Sequence, residues 1–181
     1  MSGVSVKVDD AAALAALRAA AALGANPYEM LLEISEYGAE STRERFQTQV
    51  GPNGTPWAPV QGARPETKKD PRILTGATST LRNTIVPQAT DTQASWGTNV
   101  VYALIHQLGG KTRPHEIRAR RAKTLAFAFS GAGGDPVFRR LVHHPGSDIP
   151  ARPFLGLDAV DRFEILDIIG THVQMALKTT R

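Results

Sequence analysis

The chain contains no cysteine among its 181 residues. This excludes disulfide bonds, a thiol nucleophile and zinc sites built on thiolate, and it fits a reducing compartment. No apolar run approaches the roughly 20 residues that span a bilayer, so we expect no membrane partner. The alanine-rich residues 11–23 follow Asp9 and Asp10 and contain Arg18. They lack a basic segment in front and predict a helix, not a signal peptide, so we expect a protein made in the cytoplasm.

Sequence signatures of catalysis are also missing. No Gly-x-Ser-x-Gly elbow occurs, although residues 129–133 come close to one. The glycines of residues 131–134 lack a following Lys-Ser or Lys-Thr and lead into a strand, which predicts a hairpin turn and not a phosphate loop. His143 and His144 are adjacent and point to opposite sides of an extended strand. We therefore expect no metal, no cofactor and no enzymatic activity.

Apolar residues make up 41% and charged residues 21% of the chain, which is typical of one globular domain over residues 1–181. Alternating valines predict a strand over 3–8, and a helix follows over 10–23. A second helix is predicted over 26–49, because Asn26 is a good N-cap and Pro27 suits the first helical position. Its Glu40, Arg43, Glu44 and Arg45 are expected on the solvated side. Residues 51–70 are rich in Gly and Pro and predict a long loop whose first half is pinned by Trp57.

The rest of the chain predicts an antiparallel sheet and a final helix. The expected elements are one or two helical turns over 73–81, paired strands over 82–89 and 92–97, a short helix over 101–108, strands over 123–129 and 137–142 joined by a turn over 131–135, and a helix over 158–178. The fold class is therefore α+β: an antiparallel sheet with a protruding hairpin, packed against N-terminal helices and a C-terminal amphipathic helix.

The final helix shows two patterns. Its apolar stripe is expected to be Val160, Phe163, Leu166, Ile169, Val173 and Leu177. The acidic residues Asp158, Asp161, Glu164 and Asp167 recur every third position and predict the polar flank of the helix.

Residues 111–148 form a basic hairpin insertion. Six cations lie within 13 residues and are opposed only by Glu116: Lys111, Arg113, Arg118, Arg120, Arg121 and Lys123. The run has no aromatic residue for base stacking, which disfavours recognition of single strands. Three interpretations stay open: contact with phosphates, a charged strand edge that resists aggregation, and a face for an acidic partner. In the last case Arg120 would pair with Asp161 of a neighbouring copy.

Residues 149–157, Ile-Pro-Ala-Arg-Pro-Phe-Leu-Gly-Leu, predict a rigid docking segment, here called the closing segment. Its two prolines stiffen the backbone. We expect Arg152 to pair with a carboxylate and Phe154 to be a hydrophobic anchor. Tyr102 and His106 lie one helical turn apart and are expected to fix the central helix against the sheet. With Trp57 and Pro153, these are the positions expected to be critical for the structure.

Four segments stand in a characteristic order. They are Arg45-Phe46 followed by Pro-Asn-Gly-Thr-Pro-Trp-Ala-Pro at 52–59, Ile-Leu-Thr-Gly at 73–76 with Leu81, Tyr-Ala-Leu-Ile-His-Gln-Leu-Gly at 102–109, and the closing segment with its trailing helix. In this order they resemble the phage virion morphogenesis family, the tail-completion proteins of tailed bacteriophages. Shorter members join residues 110 and 149 more directly, and the basic hairpin in between is similar to minor tail and neck proteins.

The resemblance implies a structural virion protein at the head–tail junction or the upper tail end. It would complete or terminate the tail tube and join it to the head as a ring, commonly hexameric, around the DNA path. The implied partners are other copies of the chain, the tail tube protein and the neck or connector proteins, with DNA passing through the lumen. The implied location is the virion tail or neck, assembled in the host cytoplasm. Alternatives are a head-closure or connector protein of the same machinery and a stand-alone DNA-binding protein, with a hydrolase least favoured.

Overall fold

A computed structural model describes residues 4–7, 27–60, 72–76, 78–120, 123–127 and 137–179. Its helices are α1 Pro27–Thr48, α2 Thr80–Asn83, α3 Ala103–Leu108 and α4 Ala159–Thr179. Its strands are β1 Val4–Lys7, β2 Val86–Ala89, β3 Ala94–Thr98, β4 Gly110–Lys111, β5 His115–Arg118, β6 Leu125–Phe127, β7 Val137–Arg139, β8 Leu141–His144 and β9 Asp148–Ile149. The α+β class is confirmed, with small antiparallel sheets and long helices.

The central sheet has the strand order β1-β3-β2, with both pairs antiparallel. This confirms the predicted strand near the N-terminus and the predicted strand pair, except that residues 82–83 belong to α2 and β2 begins at Val86. Alternate residues of β3 are buried, and Trp96 among them is 1% exposed. The indole ring lies over Gly38 of α1, where an added Cβ would come within 2.6 Å of it. Glycine at this position therefore allows α1 to pack closely on the sheet.

The core has two apolar clusters, and α1 contributes to both. The first cluster joins α1 and the sheet to the closing segment, with buried members Ala39, Phe46, Trp57, Leu81, Ile85, Trp96, Ala103, Phe154 and Leu155. The second cluster joins α1 to α4, with buried members Met30, Leu31, Ile34, Ala94, Ile165 and Ile169. The long N-terminal helix is thus the element on which the rest of the body packs.

The hairpin leaves the body where β4 pairs with β9, Gly110 opposite Ile149. Two ladders follow, β5 with β8 and β6 with β7. The predicted pairing of the two later strands is confirmed, but residues 137–142 are not one strand, because a bend at Arg140 separates β7 from β8. The partner of β8 is residues 115–118, which were not expected to be a strand.

Several expectations differ from the structure or lie outside it. The helical turn expected over 73–81 lies later, at Thr80–Asn83. The predicted helix over 10–23, loop residues 61–70, the turn over 131–135, Arg121 and the side chain of Leu177 lie outside the described residues. Within the described residues, none of the helices has the combined length and hydropathy that a membrane crossing requires.

Candidate functional site

The closing segment packs into its own chain. Phe154 is 0% exposed and its ring centroid lies 5.5 Å from that of Phe46. Leu155 and Arg152 are also buried. Phe154 therefore fills the core of its own chain and is not accessible to a partner.

Three side chains from distant parts of the sequence hold the backbone of the closing segment. Gln107 donates to the Leu155 carbonyl at 2.8 Å, and its amide oxygen accepts the N–H groups of Phe154 and Leu155, each at 3.0 Å. Trp57 Nε1 donates to the Pro153 carbonyl at 2.8 Å. Arg45 donates to the carbonyls of Phe154 and Gly156, each at 3.0 Å. These contacts satisfy backbone groups that the irregular segment cannot pair within itself.

Loop residues 57–59 are fastened to the same segment. Trp57 is 5% exposed and packs edge-on to Phe46, with ring centroids 5.3 Å apart. Arg152 donates through Nε to the Ala58 carbonyl at 2.7 Å and through Nη2 to the Pro59 carbonyl at 3.0 Å. The loop and the closing segment therefore form one braced unit.

The Asp161 carboxylate joins α4 to α1 through several polar contacts and is 2% exposed. It forms an ion pair with Arg45, a side chain that is 7% exposed. It also accepts hydrogen bonds from the hydroxyls of Ser41 and Tyr37, the latter at 3.2 Å. A buried charge is tolerated when it is paired and its remaining acceptor sites are filled, and both conditions hold here. Burial and the neighbouring Asp161 charge raise the pKa of Tyr37 to about 12.

Asp161 also caps α4. Its carboxylate accepts the Asp158 N–H at 2.9 Å, and the Asp158 carboxylate accepts the Asp161 N–H at 2.8 Å. This reciprocal pair is a capping box built from two aspartates. The prediction that Asp161 lies on a solvated flank is therefore wrong, and so is the prediction that Arg45 is solvated. Asp161 is not available to Arg120 of a neighbouring copy.

Arg45 and Gln107 were not singled out as site residues from the sequence. Both lie inside the motifs quoted above, Arg45 before the Pro-Asn-Gly loop and Gln107 in the Tyr-Ala-Leu-Ile-His-Gln segment. Gln107 lies in a mostly apolar segment, and that contrast is the signal that could have found it, whereas Arg45 stands among other polar residues and carries no such signal.

Tyr102 and His106 line a cavity of about 470 Å³. Their rings meet edge-on at 6.0 Å, and the His106 carbonyl accepts the Arg152 N–H at 2.7 Å. Burial, and then the Arg152 charge, lower the pKa of His106. The contact that fixes α3 here is with the closing segment. In the described part of the chain, no group of three or more His, Asp or Glu side chains is placed to hold a metal ion.

The surface charge is divided between two regions. Residues 111–148 hold eight of the 21 Lys and Arg residues and three of the 17 Asp and Glu residues. The remaining residues hold 13 basic and 14 acidic side chains, so the excess positive charge lies in the hairpin. Arg118 and Arg120 are exposed there, and the bond from Arg118 lowers the pKa of Glu116.

The second region is an acidic stripe on α1, opposite in charge to the basic hairpin. Its five glutamates are exposed and are spaced by three or four residues, which places them on one helix face. They are Glu29, Glu33, Glu36, Glu40 and Glu44. Glu33 bonds to His172 of α4 at 2.7 Å, so the stripe runs beside α4.

Two apolar faces are exposed. The first, the α4 outer face, is Val160, Phe163 and Leu166, exposed by 64%, 69% and 49%. These three residues were expected in the apolar stripe that faces the core, and that prediction is wrong for them because α4 buries Asp161 and Ile165. The prediction is confirmed for Ile169, which is buried, and Val173 packs partly buried against the second cluster. The second, the α3 outer face, is Val101, Leu104 and Leu108, exposed by 84%, 45% and 68%.

The body is thus braced by buried polar contacts and leaves charged and apolar faces on its surface. The model of the phage virion morphogenesis family matches residues 8–174. The chain belongs to this family, as its motifs indicated, and it has a role in assembling the phage virion. No curated protein and no solved structure gives a significant match.

Proposed function

We propose that the chain assembles head to tail into a ring that completes or terminates the tail tube and joins it to the head. A ring of identical subunits needs two different patches on each subunit, each complementary to the other. The tail tube protein and the neck proteins are the proposed neighbours along the ring axis, with DNA passing through the lumen.

The division of surface charge is the observation that carries this proposal. One side of the subunit presents the acidic stripe of α1, and the hairpin presents the excess of Lys and Arg. Two copies placed head to tail bring opposite charges together, whereas a two-fold pairing of either region with itself brings like charges together. Complementary charge favours the first arrangement and opposes the second.

Native mass spectrometry and negative-stain images of the purified chain, alone and with tail tubes, test the proposal. We expect closed rings that cap tube ends. A chain that stays monomeric at high concentration and ignores the tubes would overturn it.

A matched pair of variants tests the role of charge. Arg118→Gln with Arg120→Gln should weaken assembly. Thr92→Glu with Gln93→Glu removes the same net charge at an exposed turn between β2 and β3 and should not. Equal effects of the two pairs would mean that total charge, and not the hairpin, governs assembly.

The basic hairpin also keeps DNA binding as a second candidate function. The affinity of the purified chain for duplex DNA, measured at several salt concentrations, distinguishes DNA binding from ring assembly. A stand-alone DNA-binding protein that contacts phosphates loses affinity steeply as salt rises. No binding by the monomeric chain at low salt would remove this candidate.

A further inference from the structure

We propose that the α4 outer face of one copy docks against the α3 outer face of the next copy. The inference rests on the ring assembly proposed above and names the apolar centre of its interface. The occupant of each face is therefore a second copy of this chain.

The exposure of the two faces is the first reason. Phe163 is 69% exposed although it is the largest apolar side chain on α4, and Leu108 is 68% exposed at the end of α3. Leu104 and Leu108 are four residues apart on α3, which places them on one helix face, and Val101 lies in the turn that precedes the helix. Apolar side chains grouped in this way on a surface mark interaction sites. Each face is small, which suits the centre of an interface with a charged rim.

The charges around the faces select the pairing. Glu164 and Asp167 lie one turn from Val160 and Phe163, and the acidic stripe of α1 runs beside α4. Lys111 and Arg113 follow the α3 outer face and are both exposed; Lys111 lies 3.8 Å from the exposed Asp148 carboxylate, so Arg113 supplies the excess positive charge of this rim. Docking α4 on α4 would bring acidic rims together, and docking α3 on α3 would bring basic rims together. Only α4 on α3 pairs opposite charges around an apolar centre.

The two faces lie on elements that pack into different clusters of the core. Ala103 anchors α3 in the first cluster, and Ile165 and Ile169 anchor α4 in the second. When the two faces of one copy contact two different copies, the contact is heterologous, and each copy keeps one free face after the first contact forms. Such a contact propagates and closes into a ring when the rotation between subunits allows it.

Single substitutions give the first test. Phe163→Glu and Leu108→Glu should each raise the concentration needed for assembly by roughly 30-fold or more, as expected for a central apolar contact. Val86→Glu is the matched control, because Val86 is an exposed apolar residue on β2, 53% exposed, outside both faces. Thermal unfolding of each variant should match that of the parent chain, since the substituted side chains face solvent in the monomer.

Mixing the two defective variants is the decisive test. The Phe163→Glu chain keeps its α3 outer face and the Leu108→Glu chain keeps its α4 outer face, so the mixture should form a one-to-one heterodimer that does not grow. No heterodimer in the mixture would overturn the inference. Dimers formed by the Leu108→Glu chain alone would show α4 docking on α4 and would also overturn it.

The remaining outcomes separate this inference from the proposed function. If the parent chain forms rings and both variants do too, the ring stands and the assignment of the faces fails. If the parent chain never assembles, both fail. A Phe163→Glu chain that loses thermal stability would show that the α4 outer face packs within its own chain, which again overturns the inference.

Discussion

The buried ion pair of Arg45 and Asp161 leads to a quantitative prediction. Asp161→Asn keeps the shape of the side chain and removes its charge, which leaves the Arg45 guanidinium buried opposite a neutral amide. Removing one member of a buried pair costs about 3–5 kcal/mol of unfolding free energy. Asp158 lies 3.5 Å from Arg45 and is partly exposed, so it offsets only part of this loss.

Urea unfolding and thermal unfolding of the monomer measure the effect. For a chain of this size the expected loss corresponds to a fall in Tm of roughly 6–20 °C. Asp167→Asn is the matched control, since it removes the same charge from an exposed position on the same helix, and its effect should stay within about 0.5 kcal/mol. In a double-mutant cycle, Arg45→Met with Asp161→Asn should cost less than the sum of the single changes by about 0.5–3 kcal/mol.

Equal stability of the Asp161→Asn and Asp167→Asn chains would refute the reasoning. It would mean that solvent reaches the pair and that its charges are not confined to the core. If the losses of unfolding free energy caused by Arg45→Met and Asp161→Asn are additive, a narrower conclusion follows. Arg45 then acts through its bonds to the Phe154 and Gly156 carbonyls and not through Asp161.

Three further predictions concern the packing around this centre. Gly38→Ala should lower the free energy of unfolding by about 1–3 kcal/mol, because the new methyl group meets the indole ring of Trp96. Gly170→Ala places its methyl group in open space on α4 and should raise the free energy of unfolding by about 1 kcal/mol. Urea unfolding of both variants measures the difference. Trp57→Phe should cost about 1–3 kcal/mol, because the Pro153 carbonyl loses its donor, and the same assay checks this. Because the pKa of His106 is lowered in the folded chain, the unfolded chain binds the proton more tightly. The free energy of unfolding should therefore decrease as the pH falls from about 6.5, the pKa of an unperturbed histidine, to the lower pKa of folded His106. His106→Gln should remove this part of the pH dependence, while a chain with His143→Gln should keep it.

The sequence predicts the elements whose signals are local. Pro27 suits the first helical position and predicts the start of α1, and the alternating valines predict β1. The prediction fails on α4, because Phe163 and Ile165 are both large and apolar and periodicity alone does not say which of two stripes faces the core. The side that is buried is decided by Asp161, whose partners on α1 are more than 100 residues away in the chain.

Part of the candidate site can be predicted from the sequence. Trp57, Arg152 and Phe154 stand out in the sequence, and the structure brings them together in one braced unit. Their partners are mostly backbone carbonyls, which carry no signal in a sequence. The strand β5 was missed for a related reason, because Ile117 is its only apolar residue and period-two alternation cannot be recognised from one position.

The separation of these contacts along the chain sets an order of events during synthesis. Arg45 reaches the Phe154 carbonyl across 109 residues and Asp161 across 116. Contacts this distant form late in folding, because the intervening chain must close as a loop first. A nascent chain therefore carries α1 with an unpaired arginine on its packing side until residue 161 has left the ribosome. Chains truncated before α4 leave Arg45 without the Asp161 carboxylate, so they should not reach the stability of the full chain.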